Sequence, residues 1–156
     1  MEEVRDVRSD VEVVYRAQHE RLWRALFSYT GDPHVAEDAE GEAFAQLLRR
    51  GAAVNDPAAW VWRSAFKIAG GLLQSRRREV ALAGERPSFD PELLEFLDAL
   101  GSLSDQQRAC VVLRHAGRLT APEIAAVLET SPETVRTQLR RAHARLRDDF
   151  DPEGAP

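Results

Sequence analysis

Four times along this chain a helix-capping residue is followed directly by proline: Asp32-Pro33, Asp56-Pro57, Asp90-Pro91 and Ser131-Pro132. Proline lacks an N–H that the first helical turn could not pair, and its fixed backbone angle suits a helix, so each pair marks a helix start. Ser9 with Glu12, Ser104 with Gln107 and Thr120 with Glu123 add capping-box spacing. Phe89 and Leu94 flank Asp90 at the spacing of a hydrophobic staple. Together these signals predict helices over 10–29, 34–50, 57–78, 91–100, 105–116, 121–128 and 132–149. No run alternates for long enough to make a strand. The expected fold class is therefore all-α, with two small helical domains over 9–80 and 91–149. A linker is expected over 81–90 and a flexible tail over 150–156. The boundary falls at Ala83 to Ser88, a short polar stretch broken by Gly84 and Pro87. Each domain is near the size at which a single core is marginal, so mutual docking or cover by a partner is expected.

The last of these helices carries the strongest chemical signal. Val135, Leu139, Ala142 and Leu146 recur at helical spacing and form one apolar face. Arg136, Arg140, Arg141, Arg145 and Arg147 crowd the rest, with no acid between Thr134 and Asp148. A short capped helix over 121–128 and a tight Glu129-Thr130-Ser131 turn precede it, which is the helix-turn-helix pattern. Taken alone, the arginines could be the solvated face of an ordinary amphipathic helix. The capped helix and short turn ahead of them favour DNA.

The net charge of −5 over 156 residues looks adverse to that reading until its distribution is considered. Acids dominate the first 56 residues. Arg63, Lys67, Arg76, Arg77 and Arg78 then form a basic stripe with no acid over 60–78, and residues 135–147 form a second. A local stripe matters more to DNA contact than the sum over the chain. Lys67 is the sole lysine among 21 basic residues, and arginine suits bidentate phosphate and guanine contacts, although a GC-rich coding bias gives the same skew. No apolar run is long enough to cross a membrane and no secretory pattern opens the chain. One cysteine, Cys110, excludes an internal disulfide and a cysteine zinc site and leads to the expectation of a reducing, cytoplasmic location.

Other residues read more plainly. Cys110 lies between Ala109 and Val111 and is expected to be a small buried hydrophobe. His19, His34, His115 and His143 show no metal-ligand spacing and no paired nucleophile, so neither a metal nor a cofactor nor catalysis is expected. Trp60, Trp62 and Phe66 adjoin the first basic stripe, where aromatic rings could stack on unpaired bases. Trp60 and Phe66 have core spacing, which leaves Trp62 as the expected exposed ring. Glu37, Asp38, Glu40 and Glu42 read by default as a solvated helix face.

Two separated segments resemble one family, the bacterial sigma-70 superfamily in its extracytoplasmic-function (ECF) form. The string LSDQQRACVVLRHAGRLTAPEIAAVLETSPETVRTQLRRAHARLRDD, within 92–149, is similar to region 4 of that family. AEDAEGEAFAQLLRR at 36–50 and DPAAWVWRSAFKIAGGLLQSRRR at 56–78 are similar to region 2, within 11–78. The resemblance implies a promoter-specificity subunit whose partners are core RNA polymerase, through the β′ clamp helices and the β flap, promoter DNA, and in some cases an anti-sigma factor. By motif position it implies −35 contacts from Ser131, Glu133, Thr134, Arg136, Thr137, Arg140 and Arg141. It implies −10 contacts from Arg63, Lys67, Gln74, Arg76, Arg77 and Arg78 with the Arg50–Asn55 loop, and polymerase contacts from Glu37, Asp38, Glu40 and Glu42. Arg136 is the expected base reader, whereas Arg145 and Arg147 lie far along the helix, where phosphate or solvent is nearer.

One departure stands out. Where the family carries an Asn and, a turn later, an Asp in the helix that handles promoter opening, this chain has Lys67 and Gly71. Glycines inside a helix cost about 0.5–1 kcal/mol each against alanine. A local bend, close approach to a nucleic-acid backbone and relaxed constraint each account for the Gly70-Gly71 pair. On the residues alone two rivals stay open: a stand-alone helix-turn-helix regulator, and a degenerate sigma-like protein acting through protein partners.

Overall fold

The computed structural model describes residues 6–83 and 88–150. Among the described residues seven α-helices run in order: α1 Val7–Thr30, α2 Pro33–Arg50, α3 Pro57–Ala83, α4 Pro91–Gly101, α5 Asp105–His115, α6 Ala121–Leu128 and α7 Pro132–Phe150. A single 3-10 turn, Gly51–Ala53, joins α2 to α3, and the described residues contain no strand. The core of the expected linker, 84–87, and the tail beyond 150 lie outside the described residues. Residues 81–83, expected in the linker, instead continue α3.

The caps account for the helix starts. Asp32 accepts from the His34 and Val35 N–H groups at 2.9 and 3.4 Å, and Asp90 accepts from Glu92 and Leu93 at 2.9 and 3.1 Å. Both capping boxes at α5 and α6 are complete, from Ser104 with Gln107 and from Thr120 with Glu123. The expected box at Ser9 and Glu12 does not form. Asp6, one residue before α1, accepts from the Arg8 N–H at 3.2 Å and from the Ser9 hydroxyl at 2.9 Å. An acceptor therefore lies nearly a turn earlier, and the helix begins there. At the far end of α1, Gly31 takes a left-handed φ of 67° and donates its N–H to Phe27 O at 2.7 Å, which ends the helix.

Helices α1, α2 and α3 pack into one bundle through small and branched side chains. Ala25, Ala36, Ala39, Ala43, Ala65 and Ala69 let the helix backbones approach, and Leu22, Leu26, Leu47 and Val61 fill the space between them. Helices α5, α6 and α7 pack around Leu113, Ile124, Val135 and Ala142, all inaccessible to solvent. The two halves also pack on one another, α3 against α6 and α1 against α5, so that a single core runs through both.

That docking explains the fate of Trp62. The ring expected to be exposed is 3% exposed, while Trp60 is only partly buried. Trp62 is enclosed from both sides: on α1 its indole N–H donates to Gln18 Oε1 at 2.8 Å and the Arg21 guanidinium lies 5.9 Å from its ring centre, and the second half covers the rest. Gly117 lies directly against it, where a Cβ would come within 3.1 Å of the ring and 2.6 Å of the Leu113 carbonyl oxygen. Helical spacing on α3 distinguishes its faces but not which of them meets a distant helix.

Candidate nucleic-acid and partner interfaces

The α6–α7 unit is built by its turn. Glu129 adopts a left-handed φ of 55°, and the Thr130 N–H donates to Ala125 O at 3.0 Å, so the chain reverses within three residues. The Ser131 hydroxyl accepts from the Thr134 N–H at 3.1 Å and meets the Thr134 hydroxyl at 2.9 Å, capping α7. Val135 and Ala142 anchor the helix in the core. Two polar contacts to α5 fix its roll: Gln138 Nε2 donates to Gln106 Oε1 at 3.2 Å, and the Nε2 atoms of His143 and His115 lie 3.0 Å apart. The histidine pair was not legible in the sequence, where no short spacing links the two.

Arg136, Arg140, Arg141, Arg145 and Arg147 are all exposed, and none pairs with a described carboxylate. At about 100° per residue, Arg136, Arg140 and Arg147 share one flank with His143, and Arg141 and Arg145 take the other. Glu133, also exposed, and Thr134 and Thr137, both partly exposed, occupy the first turns of the helix. Guanidiniums with no described carboxylate against them, on a capped helix, keep donors for phosphate and base edges; Arg140 alone is drawn to a described neighbour, donating to Thr137 Oγ1 at 3.4 Å.

On α3, the exposed residues Arg63, Lys67, Gly71, Gln74 and Arg78 fall along one face at helical spacing. A Cβ at Gly71 would meet nothing within 4 Å, and one at Gly70 would come no nearer than 3.8 Å to the Tyr29 hydroxyl. Internal packing therefore requires neither glycine. Two members of the stripe are engaged within the chain. Arg76 pairs with Asp32 at 3.2 Å and with Glu79 at 3.5 Å. Arg77 makes two hydrogen bonds to Asp105 on α5, at 3.0 and 3.3 Å. Beside the stripe, Arg50 lies 5.7 Å from the Trp60 ring centre.

Asp105 belongs to a junction that the sequence did not reveal. Arg108, only 4% exposed, donates to Tyr29 O at 2.8 Å, to Leu103 O at 3.3 Å and to Asp105 Oδ1 at 2.9 Å, with its guanidinium 5.1 Å from the Tyr29 ring centre. Nearby, Arg21 donates to Gly117 O at 3.1 Å. Hydrogen bonds donated by Arg77, and secondarily by Arg108, hold the Asp105 carboxyl below the usual carboxylate range.

The acidic helix α2 divides in two. Glu37, Asp38 and Glu42 are exposed, and Glu42 accepts from Gln46 at 3.0 Å and Arg49 at 3.1 Å. Glu40 does not share their solvated face: it is 6% exposed, turned towards α1, with Oε1 2.6 Å from His19 Nδ1. Desolvation pushes its carboxyl above the usual range, partly offset by His19. Cys110 is buried as expected, and burial raises its thiol to about 11. Among the described residues, no group of three or more His, Cys, Asp or Glu side chains is arranged to hold a metal, and no helix is long and apolar enough to cross a membrane.

Comparison with known proteins places these surfaces in context. The family described as Sigma-70, region 4 matches residues 93–146. Over 155 residues the chain is 28% identical to an RNA polymerase sigma-E factor of Streptomyces antibioticus, covering 91% of this chain and 85% of that protein. Two solved structures share the fold. CnrH, in complex with the cytosolic domain of CnrY, superposes with a TM-score of 0.76 at 22% identity, over 94% of this chain and 91% of the other. The sigma factor RpoE from Bartonella quintana, in complex with the anti-sigma factor NepR, gives 0.70 at 21% identity, over 93% and 96%.

Proposed function

We propose that the chain is a member of the bacterial sigma-70 family in its extracytoplasmic-function form, a promoter-specificity subunit that brings core RNA polymerase to −35 and −10 elements. The observation that carries this reading is the pairing of two basic surfaces on one chain. Helix α7 offers five exposed arginines, none paired with a described carboxylate, on a helix fixed by its cap and by Gln138 and His143. Helix α3 offers a second stripe from Arg63 to Arg78.

Its action is one of binding energy. The first turns of α7 enter the major groove of the −35 duplex, with Arg136 reading a base edge and Arg140 and Arg141 flanking it. The α3 stripe meets the −10 strand once the chain is docked on polymerase. Glu37, Asp38 and Glu42 present the acidic face to the β′ clamp helices, and the α4–α7 half meets the β flap. An anti-sigma partner belongs to the reading as well. It is supported by the structural relative whose partner is named as an anti-sigma factor.

Replacing Arg136 with alanine tests the division of labour. A base-reading arginine should cost about 1–3 kcal/mol at one base position of the −35 element. Core-polymerase affinity should not change. An equal loss of both would contradict the assignment, and an even loss across all −35 sequences would make Arg136 a phosphate contact.

A further inference from the structure

Between α1 and α2 lies an open groove of about 710 Å³ with an unusual floor. Glu40 lines it, and its Oε2 is buried with no hydrogen-bond partner, while Oε1 is taken by His19. A desolvated carboxylate oxygen without a partner is costly, and native structures seldom tolerate one without a purpose. The walls are aromatic: Tyr15 is 41% exposed, packs edge-on to Phe44 at 5.1 Å between centroids, and is stacked on His19, with Trp23 on the same groove. Of the charged groups at the rim, Arg24 is neutralised by Glu20 at 2.8 Å, whereas Glu37 is exposed and has no ion-pair partner among the described residues. Gly41, on the wall, leaves the groove open, since a Cβ there would meet nothing within 4 Å.

We propose that this groove is a socket for one arginine side chain of core RNA polymerase, with Tyr15, Trp23 and Phe44 as its walls and the Glu40 carboxyl, its Oε2 turned out to the groove, as its acceptor. The proposal rests on the polymerase-binding reading above and adds the chemistry of the contact. A guanidinium is planar, stacks on aromatic faces and donates in a fork to a carboxylate, so it satisfies both walls and floor, whereas a phosphate would be repelled. It would also supply the hydrogen bond that Glu40 Oε2 lacks and offset, by its charge, the desolvation that raises the carboxyl. The exposed acids of α2 then steer the cation in, and the buried one captures it.

Two variants and one probe test this. Glu40→Gln keeps the shape and removes the charge, and Gly41→Leu blocks the groove from an exposed position while favouring the helix. Both should weaken core-polymerase binding by about tenfold or more, with melting temperatures showing that the fold is retained. N-acetyl-arginine amide should shift the NMR resonances of Tyr15, Trp23 and Gly41 in the wild-type chain, and the neutral N-acetyl-citrulline amide should not. Core affinity within about twofold of wild type for both variants overturns the proposal while leaving the polymerase reading intact. Equal shifts from the two amides also overturn it. A wild-type chain that binds the arginine probe but not core polymerase overturns the functional reading, and with it polymerase as the source of the arginine.

Discussion

Arg77 near the end of α3 grips Asp105 at the start of α5 through two hydrogen bonds, at 3.0 and 3.3 Å. A side chain that the proposed function gives to −10 DNA is thus held against the half that carries α7. Both partners are about half exposed, so the pair contributes only about 0–1 kcal/mol and orients the halves rather than holding them. The heavier contributions come from Trp62 packed on Gly117 and from the buried Arg108. A partner bound at α3 can therefore take Arg77 from Asp105 at little cost.

The acid-base behaviour of Asp105 reports this contact. Its folded pKa is depressed below the ordinary 3.8, first by the hydrogen bond from Arg77 and then by Arg108. The stabilisation is therefore present above the ordinary carboxylate range and is lost as pH falls through the lowered value. In Arg77→Ala, carboxyl NMR titration should show the Asp105 midpoint moving up towards 3.8. An unchanged midpoint would mean that Arg77 does not hold Asp105 in solution.

Gly117 has no room for a methyl group, because its Cβ would lie 2.6 Å from Leu113 O and 3.1 Å from the Trp62 ring. Gly117→Ala should destabilise the protein by about 1–3 kcal/mol, as overpacking does, and loosen the seating of α6 on α3. Thermal melts read the first effect, and the environment of the Trp62 indole N–H, bonded to Gln18, reads the second. A variant as stable as wild type would show that the halves do not dock through this contact.

Much of this organisation was legible in the chain, and the exceptions share one cause. Asp32, Asp90, Ser104, Thr120 and Ser131 act within a few residues of themselves, so their caps could be read locally and gave the helices almost to the residue. Helix α7 was equally plain because its arginine face and its cap are both local patterns. Trp62, Glu40 and Arg108 were not, since each is defined by a residue distant in sequence: Gly117 for Trp62, His19 for Glu40 and Tyr29 for Arg108. Periodicity says that a helix has faces; partners 21 to 79 residues away decide what Glu40 and Arg108 touch. For the same reason the basic stripe of α3 appeared uniform, whereas Arg76 and Arg77 are paired and Arg63, Lys67 and Arg78 have no ion pair with a described residue.

Gly71 is open to a direct test. It is exposed in line with Lys67 and Gln74, and no neighbouring atom would touch an added Cβ. Gly71→Ala should therefore raise stability by about 0.5–1 kcal/mol, the ordinary gain from removing a helical glycine. Denaturant unfolding measures it, and a loss of stability would mean that the backbone there is not an ordinary helix.

The central claim is that these two basic surfaces work together on a polymerase. Its most direct test is transcription in vitro by core RNA polymerase on fragmented genomic DNA, with and without the purified chain. The account predicts initiation at discrete sites only when the chain is present, with start points sharing −35 and −10 sequences. DNA binding by the chain alone, with no site-specific initiation from core enzyme, would contradict it.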